Sequence, residues 1–233
     1  LGGERAMSVS VGDAHSLALT AGGVWSWGGG AFGQLGHGNA QHQLVPKKVK
    51  AFTGQRVVAV SVGGAHSLAV TADGAVWSWG DGEYGMLGHG DEQKQLLPKK
   101  VEALAERRVV AVSAGYGLSI AITADGAAWS WGLGASGKLG HGDTQDQLLP
   151  KKAEALTGQR VVAVAAGGFH SLALTANGEI WSWGIGGHGQ LGHGDQQTQW
   201  LPKKIEAFAG QRVVAVSAGA RHSLAITADG AVW

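Results

Sequence analysis

The chain has 233 residues, with 41 glycines, 10 tryptophans, no cysteine and a formal net charge of +1. Without cysteine there is no disulfide framework, thiolate zinc site or cysteine nucleophile. Its longest apolar runs, such as Val57–Val62, fall far short of the ~20 residues of a membrane-spanning helix, and Leu1–Val11 lacks the basic start and long apolar segment of a signal peptide. A charge near zero lends no support to a nucleic-acid or membrane partner.

The elements follow from a repeat. Leu1–Val11 matches Phe52–Val62, and from there the chain recurs with a period of 52: Trp-Ser-Trp-Gly starts at Trp25, Trp77, Trp129 and Trp181. Leu-Gly-His-Gly at Leu35, Leu87, Leu139 and Leu191, and Pro-Lys-Lys at Pro46, Pro98, Pro150 and Pro202, keep the same spacing. A fixed period near ~50 residues marks a propeller or solenoid. The second unit shows the pattern. Arg56–Val62 predicts a strand A, apolar enough to be buried on both faces; Ser67–Thr71 predicts strand B and Ala75–Trp79 strand C. Ala72-Asp73-Gly74 between B and C is a hairpin signal, because glycine accepts the positive φ of the turn. Leu97–Ala103 predicts strand D, an edge strand, since proline cannot donate to a ladder and lysine discourages edge pairing.

Four antiparallel strands per unit make a propeller blade. The expectation is an all-β β-propeller over a single domain, 1–233, with units 1–51, 52–103, 104–155, 156–207 and a partial unit 208–233. That is an open arc of about four and a half blades, completed by flanking blades of a longer chain or by another copy, because an uncapped repeat array exposes apolar surface. In an up-and-down blade the A–B and C–D connections share one face. Here the C–D connection, about Gly80–Leu96, is long, and long loops without structure of their own are usually functional. The B–C and D–A turns give a plain opposite face.

The pattern Val-x-x-Val-(Ser/Ala)-x-Gly-x-x-His-Ser-Leu-Ala-(Leu/Val/Ile)-Thr, then Gly-x-(Val/Ile)-Trp-Ser-Trp-Gly and Gly-Gln-Leu-Gly-His-Gly-Asp, resembles the regulator-of-chromosome-condensation repeat over the entire chain. The resemblance implies a propeller that is usually seven-bladed. It also implies diverse functions: an exchange factor for a small nuclear GTPase, a plant ultraviolet-B photoreceptor, an enzyme inhibitor, and propellers within ubiquitin ligases and ciliary proteins. The even spacing leaves no room within these units for the wedge-like insertion of the exchange factor. The photoreceptor's sensing loops carry Gly-Trp-Arg-His-Thr, whereas the matching loops here contain no tryptophan, and Arg221 alone keeps the arginine. An intracellular location, cytoplasmic, nuclear or ciliary, fits these relatives.

The repeated polar residues read as structure. Gly28–Gly33, Gly80–Gly85, Gly132–Gly137 and Gly184–Gly189 match G-x-G-x-x-G, but no helix pattern follows to hold a pyrophosphate. His37, His89, His141 and His193, followed two residues on by Asn39, Asp91, Asp143 and Asp195, suggest turns closed by side-chain hydrogen bonds rather than metal sites. His15, His66, His170 and His222 form a series broken by Leu118 and suggest histidines that tie down the A–B loops. Each is followed by a serine, but neighbours on a strand point to opposite faces and make poor nucleophile–base pairs. No unique acid–base constellation breaks the repeat, so neither an enzyme nor a cofactor is expected.

What differs between near-identical units is displayed on the A–B and C–D loops. Phe32, Asp81, Glu83, Tyr84, Met86, Tyr116, Lys138, Phe169, His188 and Arg221 are the candidate protein-binding residues. Aromatic residues, methionine and arginine are the residues enriched at protein interfaces. Trp200, at a position that is leucine in the other units, fits either a contact or local packing.

Overall fold

A computed structural model describes residues 1–233. It contains five antiparallel sheets. Blade 1 comprises β1 (Ala6–Val11), β2 (His15–Thr20), β3 (Gly23–Gly28) and β4 (Gln43–Lys48); blade 2 comprises β5 (Val57–Val62), β6 (His66–Thr71), β7 (Val76–Gly80) and β8 (Gln95–Lys100). Blade 3 holds β9 (Val109–Ala114), β10 (Leu118–Thr123), β11 (Ala128–Gly132) and β12 (Gln147–Lys152); blade 4 holds β13 (Val161–Ala166), β14 (His170–Thr175), β15 (Ile180–Gly184) and β16 (Gln199–Lys204). The fifth sheet has β17 (Val213–Ala218) and β18 (Ser223–Thr227), with a bridge from Ile226 to Val232. Each sheet is paired in chain order, and the sheets form an open arc of a propeller rather than a closed ring.

The core lies between sheets, one cluster per junction. Leu17 and Leu19 of blade 1 pack with Val62, Ala69 and Trp79 of blade 2, and the same positions recur at the next two junctions. The period-2 alternation of strand B explains it. In Leu-Ala-Leu the large side chains face the following blade, and the alanine faces the preceding one, leaving room for the indole beside it.

Two expectations are corrected. Strand D ends at Lys100, not Ala103: Val101 donates the last bond to Val76, and Glu102–Leu104 then turns as a 3₁₀ helix that buries Leu104 between the blades. Strand A is not buried on both faces, because alternate residues such as Val58 and Val110 point half-exposed away from the junctions. The two outer faces of the arc are bare. Val11 is 70% exposed where its counterpart Val62 is 5% exposed, Leu44 is 96% exposed, and Leu224 and Ile226 are 47% and 39% exposed where Leu68 and Val70 are buried.

Candidate functional site

The A–B and C–D loops are positioned by a bond network that runs between blades. The backbone carbonyl of Gln34 accepts from Trp79 Nε1 at 2.8 Å and from Ser67 Oγ at 2.9 Å, both from the next blade. His15 Nε2 lies 2.8 Å from the same Ser67 Oγ. The hydroxyl proton is already given to the carbonyl, so the ring donates through Nε2–H, and Nδ1 is left buried without a partner. The second junction repeats this through the Met86 carbonyl, with Trp131 at 3.0 Å, Ser119 at 2.8 Å and His66 at 2.9 Å from Ser119. At the third junction Trp183 and Ser171 each donate at 2.8 Å to Lys138, and Leu118 stands where the histidine would be. At the fourth, His170 reaches Ser223, which donates to Gln190 at 2.7 Å. Burial holds these imidazoles neutral, lowering His15 and His170 to about 4 and His66 to about 3.

The expectation that these histidines pin the A–B loops is therefore corrected: they staple one blade to the next. Serine and histidine do meet, but from successive units, and the serine proton is committed to a carbonyl. The second histidine series holds the C–D loops. His37, His89, His141 and His193 Nε2 sit 2.9–3.0 Å from Ser26, Ser78, Ser130 and Ser182 of strand C. Asn39, Asp91, Asp143 and Asp195 each accept a backbone N–H two residues on at 3.0 Å, the side-chain-closed turn expected from sequence.

On this frame the A–B loops form a stepped tier. Gly64 N donates to Gly115 O at 3.3 Å, Tyr116 N to Gly167 O at 3.2 Å and Gly168 N to Gly219 O at 3.2 Å. These bonds bring Tyr116, Phe169 and Arg221 into one row. The Tyr116 and Phe169 rings are 6.4 Å apart with 34° between planes, and the Arg221 guanidinium lies 5.5 Å from the Phe169 centroid. Glycine is required beneath it, since a Cβ at Gly115 would lie 2.4 Å from Gly167 O. Lys138 Nζ donates to Tyr116 O at 2.6 Å and sits 5.9 Å from its ring; burial lowers this amine to about 8.

Four of the ten candidates thus converge: Tyr116, Phe169, Arg221 and Lys138. Tyr116 is 55% exposed, and Arg221 is also exposed. Asp81, Glu83 and Tyr84 form the rim on the C–D loop of blade 2, where the Glu83 carboxylate pushes the Tyr84 hydroxyl up. Phe32 lies on the C–D loop of blade 1 and His188 on that of blade 4, both exposed. Met86 and Lys138 are corrections as contact residues: both are buried, because their carbonyls are clamped by the next blade. Gln34 and Gln190 cap the N–H of Phe32 and His188 with a side-chain oxygen. Where methionine and lysine replace them, Tyr84 and Ser136 take the left-handed conformation, at φ 59° and 66°. Trp200 covers Gly137 in the C–D loop of the preceding blade and is still 52% exposed, so it both packs locally and presents surface.

Sequence reasoning missed one coincidence. Tyr116, Leu118 and Lys138 all depart from the repeat in blade 3, and the fold places Lys138 against Tyr116.

The profile of the RCC1-like domain matches residues 1–233 in full. The chain belongs to this family. Among curated relatives of this RCC1-like domain, the ultraviolet-B receptor UVR8 of Arabidopsis thaliana is 38% identical over 235 residues, covering 100% of this chain and 53% of the receptor. The E3 ubiquitin-protein ligase HERC2 of Homo sapiens is 41% identical over 232 residues, covering 98% of this chain and 5% of the ligase. Among solved structures, human WBSCR16 superposes with a TM-score of 0.89 at 27% identity, over 99% of this chain and 61% of that one. Prp20p of Saccharomyces cerevisiae, described with its binding to Gsp1p and histones, superposes with a TM-score of 0.85 at 25% identity, over 97% of this chain and 56% of that one. The chain spans about half the length of UVR8 and a small part of HERC2.

Proposed function

We propose that this RCC1-like domain is a non-enzymatic scaffold that binds a protein partner through its A–B and C–D loop face, centred on Tyr116, Phe169 and Arg221. The carrying observation is the tier itself: an aromatic pair, Tyr116 exposed and Phe169 half-buried, with the Arg221 guanidinium over the Phe169 ring, held on glycine-rich loops by blade-to-blade backbone bonds. Rigid, pre-positioned aromatic and arginine side chains lose little freedom on binding and supply most of the energy of a typical interface. Replacing Tyr116, Phe169 and Arg221 together by alanine is expected to abolish partner capture in a pull-down with the thermal midpoint unchanged. Undiminished capture would refute the reading.

A second reading, exchange of guanine nucleotide on a small GTPase, is favoured by the likeness to Prp20p. The uniform units supply no inserted wedge, so a nucleotide-release assay is expected to show no acceleration. The similarity to UVR8 does not bring photoreception with it on these residues. No A–B loop holds a tryptophan; nine of the ten lie at C-strand positions, and Trp200 lies in β16.

A further inference from the structure

The loop face is uneven in charge and in the order of its side chains. Eight of the 17 acidic residues, but only three of the 18 basic ones, stand on the A–B and C–D loops. One of those three, Lys138, is buried and bonded to Tyr116 O. The A–B tier is graded along its length. At the blade 2 end, a Cβ on Gly64 would lie 3.1 Å from the Tyr116 ring and 3.2 Å from an Asp13 carboxylate oxygen, so the ring edge and the carboxylate meet over this glycine. Tyr116 and Phe169 follow, and Arg221 stands at the far end.

A second row, from the C–D loops, runs beside the first with the same grading. Asp81, Leu133 and Ile185 hold one position in blades 2, 3 and 4. Each donates its backbone N–H to the A–B loop of its own blade: to Ala65 O at 3.0 Å, to Gly117 O at 2.8 Å and to Phe169 O at 3.0 Å. The first of them is a carboxylate, and the other two are half-buried aliphatic residues. Glu83, whose N–H reaches the Asp81 carboxylate at 3.4 Å, brings a further acid to the same end. Both rows therefore pass from acidic to apolar, and the first ends in a cation.

The spacing sets what fits. The Tyr116 and Phe169 rings are 6.4 Å apart, close to the ~6.6–6.8 Å between alternate side chains of an extended chain. We infer that the graded tier is the docking site for an extended segment of a partner protein whose alternate residues are basic, apolar and acidic. The basic side chain meets Asp13, Asp81 and Glu83, the apolar one lies across Tyr116 and Phe169, and the acidic one meets Arg221. The inference rests on the reading of this face as protein-binding and adds the chemistry and order of what it binds. Charge complementarity of this kind fixes register and rejects wrong partners. A second copy of this chain is a poor occupant, because two loop faces set together would oppose one excess of carboxylates to another.

The test is calorimetric titration of the chain with acetyl-Ser-Arg-Thr-Leu-Thr-Glu-Ser-amide, and with two peptides in which the arginine becomes glutamate or the glutamate becomes arginine. One saturable site is expected for the first peptide, with the two-glutamate and two-arginine peptides at least tenfold weaker. Arg221→Glu should reverse the order of the first and the two-arginine peptides; should that variant fail to fold, the three peptides on the unaltered chain decide the matter. Tightest binding of the two-arginine peptide by the unaltered chain would overturn the inference, since it would show only a general attraction of cations to an acidic face. Equal affinity for all three peptides, the absence of a saturable site, or a concentration-dependent dimer that the first peptide does not dissociate would overturn it too. Partner capture that still depends on Tyr116, Phe169 and Arg221 would then show that the protein-binding face stands while this assignment of its partner falls.

Discussion

Blades 2 and 3 meet through His66, Ser119, the Met86 carbonyl and Trp131; blades 3 and 4 meet through Ser171, the Lys138 carbonyl and Trp183, with Leu118 in place of the histidine. Both junctions keep the carbonyl doubly bonded at nearly the same distances. The difference teaches which parts of the staple hold the arc together. The indole and the serine are constant, and the histidine is an addition that costs its own desolvation. The junction without the histidine belongs to the blade that carries the buried Lys138 and the exposed Tyr116.

The largest expected effect erases the contrast. Trp131→Ala and Trp183→Ala should each cost roughly 3–5 kcal/mol, the usual price of removing a buried large aromatic, as read from urea denaturation midpoints. A cost below about 1 kcal/mol at either junction would show that the indole is not what joins the blades there.

Next in size is the response to acid. His66 is neutral when folded and takes a proton on unfolding below its ordinary value of 6.5, because burial lowers the folded value to about 3. Stability is therefore full above pH 6.5 and falls as pH drops from there toward 3, by roughly 1.4 kcal/mol per unit for each such histidine. His66→Leu copies the third junction and should flatten the slope of stability between pH 6.5 and 5 by about one histidine's share. An unaltered slope would mean that the ring is not held neutral by its burial.

The smallest effect separates the two serines. Ser119→Ala leaves His66 Nε2–H without an acceptor and should cost about 1–3 kcal/mol, whereas Ser171→Ala removes one of two bonds to a carbonyl and should cost about 0.5–1.5 kcal/mol. Reversed order in denaturant titrations would contradict the donor assignment made at Ser67, Ser119 and Ser223.

The fold was largely legible because each signal is local: Asp73-Gly74 for the hairpin, the run Ser67–Thr71 for the B strand, Pro98 for the edge. The end of strand D was not, because Val101 and Leu104 are apolar enough to continue a strand, and the preference of the next junction for a buried Leu104 decides the turn. The staple was hidden for another reason. His15 and Ser67 are 52 residues apart, and the sequence reading weighed each histidine only against the serine beside it, which it set aside, and not against the serine one period on. In a ring of repeats the neighbour of a residue is its own counterpart in the next unit. The site was half visible: exposure of Tyr116 and Arg221 follows from their loops, while half-burial of Phe169 between them and burial of Met86 and Lys138 follow from contacts between blades that no single unit displays.

The central claim is that the loop face, and not the plain face, meets a partner. A photo-crosslinking amino acid in place of Tyr116, compared with the same group in place of the exposed Thr157 on the D–A turn of that blade's opposite face, tests this directly. The account predicts a discrete crosslinked protein from position 116, lost when Phe169 and Arg221 are alanine, and none from position 157. Crosslinks of equal yield from both positions, or a product from 116 that survives the loss of Phe169 and Arg221, would contradict it.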